Sequence, residues 1–359
     1  MQDKLVGKGK NEMTLVIEGR EVICDTIKFL RTMDTCADGF TATFPWFPYL
    51  DPELDRITKP YGYQETGLYI AGDLKMIGVL YIVKHILNDS GRVKELEGFS
   101  KTADIIDSSV RYPFEENNLD LKERCESQMN SPVTNRQFDI DVIVDDGVDV
   151  GGKFKRIEAE QTDNCFEKLA ELAKQRSCIL SCTKDGDLLI TKANTNGVPV
   201  GTIEEQVGIT QEFDATFNGR DRFRFYEAIV QSSKSTKTKS KQQAEDTVVT
   251  RPRFLTFSAD ESLPGEAKNV AQWRKNKAAA DSLQKAFPVN SWYAPNGELW
   301  DVNTLVTVKS PTLGTGEKGF TFLITRVEFT YTASGATAQL SLLPPSAYTD
   351  GEIEEPWLS

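Results

Sequence analysis

Between Thr162 and Thr191 the sequence carries a helix start, a helix period and a stop in succession, and the rest of the chain has to pack around them. Asp163 or Asn164 can cap a first turn. Phe166, Leu169, Leu172 and Ala173 then recur at three- and four-residue steps, which predicts a helix over Cys165–Gln175 with one apolar side. Glu167, Lys168, Glu171 and Lys174 fall on the opposite side. Ile179–Cys182 and Asp187–Thr191 read as strands around Thr183-Lys184-Asp185-Gly186, where the Asp-Gly pair supplies the positive φ of a tight turn. A helix with one wet face and a short hairpin need a shared partner surface. This stretch is scaffold, and no catalytic pattern lies in it.

On its N-terminal side, Met13 to Phe99 reads as β structure. Thr14–Ile17 and Glu21–Cys24 flank a Glu18-Gly19 turn, Phe40–Phe44 alternates, and Tyr69–Ala71 and Lys75–Leu87 follow. In the last run Ile77, Val79, Tyr81 and Val83 share one side, and Asn88–Gly91 reads as a turn. Short strands at this spacing predict a small barrel or sandwich. Phe44-Pro45-Trp46-Phe47-Pro48-Tyr49 cannot be a regular central strand, because proline removes ladder donors, so it is expected as a loop or edge with a contact role. Beyond Gly98 the pattern turns mixed: short helices over Ser100–Asp107 and Asn118–Met129, then a strand over Gln137–Val144. From Gly201 the β pattern resumes, interrupted by the polar stretch Ser232–Lys241 and by a helix over Ala267–Phe287. It returns in Leu305–Val308, Phe320–Thr325, Val327–Thr332 and Ala338–Leu342. Thr349–Ser359 is an acidic tail.

With 359 residues the chain has room for two or three cores. No apolar run approaches the ~20 residues that span a bilayer, and Met1–Lys10 has no apolar signal segment, so no membrane insertion is expected. The formal charge of −12 argues against nucleic acid or an anionic membrane as the main partner and points to proteins. Six cysteines, Cys24, Cys36, Cys125, Cys165, Cys178 and Cys182, are spread without a CxxC repeat and are expected as free, buried thiols.

Motifs that could carry chemistry have simpler readings. Gly314-Thr315-Gly316-Glu317-Lys318-Gly319 spells GxGxxG, yet a strand pattern follows it where a dinucleotide site requires a helix. A hairpin loop fits better. Asp139 and Asp141 alternate onto the wet side of a strand, and Asp145, Asp146 and Asp149 lie in turn sequence, without the EF-hand spacing of a Ca²⁺ loop. His85, the one histidine, sits beside Ile86 and Leu87 in a strand pattern and reads as structural. Lys234, Lys237, Lys239 and Lys241 form a basic comb without interleaved aromatics and read as a loop. No catalytic, metal or cofactor site is expected, and no cofactor.

Four stretches resemble the baseplate hub family of Mu-like contractile-tailed phages, a family related to the hubs of myophages and contractile injection machines. They are Leu15–Gly19 with Phe40–Phe44; Gly98–Ser109, similar to a G-x-S-x-T-x-D-L-x-D segment; Phe166–Ala173 with Asp185–Leu188; and Gly297–Trp300 and Asn303 with Phe322–Ile324, Val327 and Leu340–Leu342. The resemblance implies a β-rich α+β chain with two small tube-like β-barrels, an intervening α/β domain and a helical excursion. In those terms residues 1–99 form the first barrel. Residues 100–200 form the α/β domain, joined by the excursion 235–290; residues 201–234 and 291–348 form the second barrel, and 349–359 the acidic tail. It further implies a non-enzymatic homotrimer in the virion baseplate, assembled in the host cytoplasm, that adapts a sixfold tail tube to a threefold spike and lets DNA pass. Its partners would be copies of itself, the central spike, the tube or its initiator, baseplate wedge proteins and the tape-measure protein. Trp46, Phe47, Tyr49 and Trp300 are the candidate interface residues. The alternatives are a hub of a phage-derived bacteriocin or injection system and, from another class, a peptidoglycan hydrolase using Glu158 and Asp146.

Overall fold

The computed structural model describes residues 2–89, 91–133, 137–205, 207, 215–230, 240–258, 264–284, 286–349 and 352–358. Its first unit opens with β1 (Met13–Ile17) and β2 (Arg20–Val22), joined by Glu18 and Gly19, both at positive φ (51° and 80°), as a two-residue hairpin demands. β3 (Thr26–Thr32), β4 (Gly39–Pro45), the short helix α1 (Pro52–Ile57), β5 (Glu65–Ile70), β6 (Asp73–Asn88) and β7 (Gly91–Ser100) complete it. Proline at the first helical position and the Asp51 carboxylate accepting from the Leu54 N–H start α1. This helix interrupts the region expected to be wholly β.

The middle unit holds α2 (Ala103–Ile106), β8 (Glu115–Glu116), α3 (Leu121–Met129), β9 (Val142–Val144), β10 (Ile157–Glu158), α4 (Cys165–Gln175), β11 (Ile179–Cys182) and β12 (Leu188–Thr191). The helix and hairpin form as the spacing predicts. Asn164 caps α4 by accepting from the Glu167 N–H at 3.0 Å, and Gly186 turns the hairpin at φ +86°. The surface they share is a core of Leu121, Cys125, Met129, Ile157, Leu169, Leu172 and Ile190, with β9 adding a parallel third strand beside β12. The strand expected from Gln137 is regular only over β9; Asp141 N–H is held by the Asp187 side chain instead of a ladder.

The last unit runs β13 (Thr202–Glu204), β14 (Thr216–Phe217), β15 (Phe225–Val230), β16 (Ser240–Glu245), β17 (Phe254–Ser258), α5 (Pro264–Asp281), β18 (Leu283–Gln284), β19 (Phe287–Val289), β20 (Leu305–Lys309), β21 (Phe320–Thr332) and β22 (Gly335–Leu343). Lys234, Lys237 and Lys239 lie outside the described residues. Lys241, read as loop, sits instead in β16, where it pairs with Glu227 of β15. The helix expected to reach Phe287 ends at Asp281, and Leu283 and Phe287 belong to strands. Phe320–Thr332 is one strand: a bulge between Ile324 and Arg326 divides it where two were read.

The first and last units are joined by hydrogen bonds. β21 pairs with β20 and β22, then with β3, so one twelve-stranded sheet runs β13-β20-β21-β3-β4-β7-β6-β5-β1-β2, with β22 and β19 branching from β21. Their apolar faces form a single core from Leu15, Ile27 and Phe29 through Phe322, Val327 and Leu340. Arg31 of β3 pins the seam: its Nε donates to Asp38 at 3.0 Å, and its Nη1 to Asp301 ahead of β20. The chain is therefore β-rich α+β. Among the described residues no helix is long and apolar enough to cross a membrane.

Candidate assembly surfaces

Proline ends β4 at Pro45, and the chain after it is bolted down by one tryptophan. The Trp46 N–H donates to Arg92 O at 2.9 Å and its indole Nε1 to Asp55 Oδ1 at 2.7 Å. The His85 ring stacks on the indole at 4.3 Å, and the Lys94 ammonium lies 4.4 Å over it. Lys94 is 2% exposed and donates to Thr58 Oγ1 at 2.8 Å, with Asp55 at 3.5 Å. Burial pushes its pKa below the usual lysine range. Burial and the neighbouring Lys94 charge likewise lower His85, while the Trp46 indole bond holds Asp55 down. The adjoining helix is tied to the edge strand β2 by Arg20, whose Nη1 donates to Asp51 Oδ1 at 2.9 Å. That bond to Arg20 lowers the Asp51 pKa to about 2.

What this anchorage presents to solvent is apolar. Phe47 is 65% and Tyr49 90% exposed, and Leu50 before α1 and Tyr61 and Tyr63 after it are exposed too. Tyr49, Tyr61 and Tyr63 all hold left-handed backbone (φ 67°, 59° and 49°), a conformation that costs a residue with a Cβ roughly 1–2 kcal/mol. Strain is held there by the Trp46–Asp55–Lys94 lock, a pattern typical of binding loops. Trp46 is itself half-buried and acts as the anchor. Trp300, expected at an interface, is 4% exposed: its Nε1 donates to Ser291 O at 2.9 Å inside the core, so it is not free surface.

A second surface was missed in the sequence because a bulge hides it. β6 buries Leu74, Met76 and Leu80, the face opposite to that of Ile77, Val79 and Tyr81. A register shift between Leu80 and Ile82 then swaps the phase, and Val83 joins the core. β5 pairs only with Asp73–Val79, and Leu80 N–H donates to Gln64 O. From Ile82 to Leu87, among the described residues, no strand lies on that side, and Ile82 and Leu87 are exposed. A long edge with apolar groups, one lysine and no proline is a template for a further strand.

The polar candidates are not brought together. Glu158 pairs with Arg156 on β10, whereas Asp146 stands in the turn after β9, in another sheet. Asp145 accepts from Thr191 Oγ1 at 2.8 Å, and among the described residues no three His, Cys, Asp or Glu side chains could hold a metal. Gly314–Gly319 connects β20 and β21 as a loop, with Gly314, Gly316 and Gly319 at positive φ. All six cysteines are free, and burial pushes Cys165 up to about 11 and Cys182 to about 12, so neither is a ready nucleophile.

Residues 263–351 match the family described as Mu phage baseplate assembly protein GpP, fourth domain. Over 94% of its length the chain is similar to 99% of the 43 kDa tail protein of prophage MuSo2 from Shewanella oneidensis, at TM-score 0.77 and 25% identity. The chain is thus similar to Mu-like phage tail and baseplate proteins. It also matches the tail protein from Neisseria meningitidis MC58 (TM-score 0.76, 16% identity, 94% of this chain and 98% of that one). An E. coli type VI secretion component, described as structurally similar to T4 tail proteins gp27 and gp5, shares the fold at TM-score 0.58. Its identity is 12%, over 95% of this chain and 79% of that one. No curated protein matches the sequence. The matched family segment comprises α5 and β18–β22, the part whose β21 carries the seam to the first unit.

Proposed function

We propose that this chain is the structural hub of a contractile-tail baseplate. Three copies close into a ring, each contributing the β1–β7 unit and the β13, β19–β22 unit. The ring adapts the sixfold tube to the threefold spike and lets DNA pass, without catalysis. The observation that carries this reading is the open edge Ile82–Leu87 beside the anchored aromatic loop: both are surfaces that association covers. The formal charge of −12 per chain is tripled in such a ring, and a lumen of that sign repels phosphates. Spike, tube or tube initiator, wedge and tape-measure proteins are its partners, in the baseplate of a virion assembled in the host cytoplasm.

A hub of a phage-derived bacteriocin or injection system uses the same geometry. The similarity to the MuSo2 prophage tail protein at 25% identity and TM-score 0.77, against 0.58 for the type VI component, supports the phage-tail reading. The hydrolase reading rests on Glu158 and Asp146, which lie by different sheets, and peptidoglycan zymography is expected to give no clearing. The ring itself is tested by Leu87→Lys on the open edge. The variant should fold with unchanged far-UV circular dichroism yet lose the trimer by native mass spectrometry. A trimer undiminished by a lysine there would refute the edge as the contact.

A further inference from the structure

The acidic C-terminal segment is held in a groove through Glu355 and Trp357. Arg222 donates through Nη1 and Nη2 to the two Glu355 oxygens at 2.7 and 2.9 Å, and through Nε and Nη2 to Asp246 Oδ2 at 3.1 and 2.9 Å. All three side chains are less than a tenth exposed. Trp357 Nε1 donates to Glu355 Oε2 at 3.1 Å, and the indole lies 6.0 Å from the Phe217 ring. Its backbone passes over Gly314 so closely that a Cβ there would stand 3.0 Å from the Trp357 Cα. A cavity of about 370 Å³ remains beside the indole, lined by Phe217, Gly219, Arg222 and Ser282.

We propose that this groove is a binding site for an acidic, tryptophan-bearing peptide, filled in cis by the chain's own Glu355-Pro356-Trp357. The recognition is of a kind that works in trans: a planar guanidinium reading one carboxylate with two parallel bonds, and an aromatic wall beside it. The anchor is short, and its two halves lie 133 residues apart in the chain. It is also reversible. Asp246 already neutralises Arg222, so seating Glu355 adds a second carboxylate to a satisfied cation and gains less than a lone ion pair. Vacating the groove leaves a neutral Arg222–Asp246 pair, which carries no unpaired charge.

The test uses the full chain and a fluorescein-labelled synthetic peptide of the sequence 351–359. Trp357→Ala empties the groove, and this variant should bind the peptide by fluorescence anisotropy at least about tenfold more tightly than the wild-type chain, whose own C terminus competes. Adding Arg222→Gln should weaken peptide binding again by about tenfold or more. Equal binding by wild type and Trp357→Ala, or no effect of Arg222→Gln, would overturn the proposal. A second readout needs no variant. In the wild-type chain the amides of Ile353, Glu354, Glu355 and Trp357 should exchange at least about tenfold more slowly than in the free peptide; equal rates would also overturn it.

Discussion

The two ends of the long sheet handle aromatic residues in opposite ways. In the last unit Trp292 is buried, its Nε1 donating to Thr337 O at 2.8 Å and its ring set edge-on to Phe329 at 6.1 Å, and Trp300 lies beneath the surface with it. The first unit also buries Phe29, Phe40 and Phe44, but beyond Pro45 Trp46 is half-buried as an anchor, Phe47 faces solvent, and Tyr49, Tyr61 and Tyr63 face solvent on left-handed backbone. The first arrangement stabilises the monomer. The second costs it stability, and that cost is explained only by a partner. Aromatic content therefore does not report role; the backbone that carries the ring does.

Trp292→Ala should produce the largest effect on folding, about 3–5 kcal/mol in chemical denaturation. A loss below 1 kcal/mol would break the contrast. Next comes Lys94→Met, which leaves the Thr58 hydroxyl and Asp55 without their cation and should cost about 1–3 kcal/mol, with faster proteolysis between residues 45 and 64. Its pH signature has a definite sign. Burial lowers the Lys94 pKa, so the unfolded chain keeps that proton to higher pH and Lys94 makes stability rise as pH climbs through the alkaline range. The methionine variant should lack that slope.

Tyr49→Gly relieves a left-handed backbone and should leave the monomer as stable or more so, by up to about 1 kcal/mol, while assembly measured by native mass weakens. A destabilised monomer with intact assembly would reverse the assignment of that loop. The smallest effect is expected at Asp51. Its folded pKa of about 2 lies below the ordinary 3.8, so the anchorage it gives α1 is complete above pH 4 and is lost as pH falls toward 2. Proteolysis of the loop should accelerate over that window in the wild type, and in Asp51→Asn it should already be fast at pH 7.

Local signals were legible in the sequence and distant ones were not. α4 and its hairpin form between the residues the spacing names, because Asn164, the three- and four-residue apolar steps and Gly186 act within a few residues of themselves. The Asp51-Pro52 start of α1 is equally local, but the helix it opens is six residues long and flanked by strand sequence on both sides. From Met76 to Tyr81 β6 is apolar on both sides, so alternation alone does not say which side is buried, and the bulge at Leu80–Ile82 that brings Val83 to the core leaves no mark in composition. β3 escaped because Lys28 and Arg31 break its apolar run, although Ile27 and Phe29 alternate inward. The acidity of the tail does not disclose its partner, because Arg222 lies far back in the chain. Of the candidate interface residues, Phe47 and Tyr49 lie exposed on a proline-broken loop, whereas Trp300 is buried; a lone tryptophan after Gly297-Glu298-Leu299 does not disclose that the Ser291 carbonyl will accept a hydrogen bond from its indole.

Mass photometry of the purified full-length chain weighs the ring most directly. A dominant species of three 40.1 kDa chains, lost in Leu87→Lys, is the predicted result. A single-chain mass at every concentration, with Ile82–Leu87 amides exchanging at unprotected rates, would contradict it.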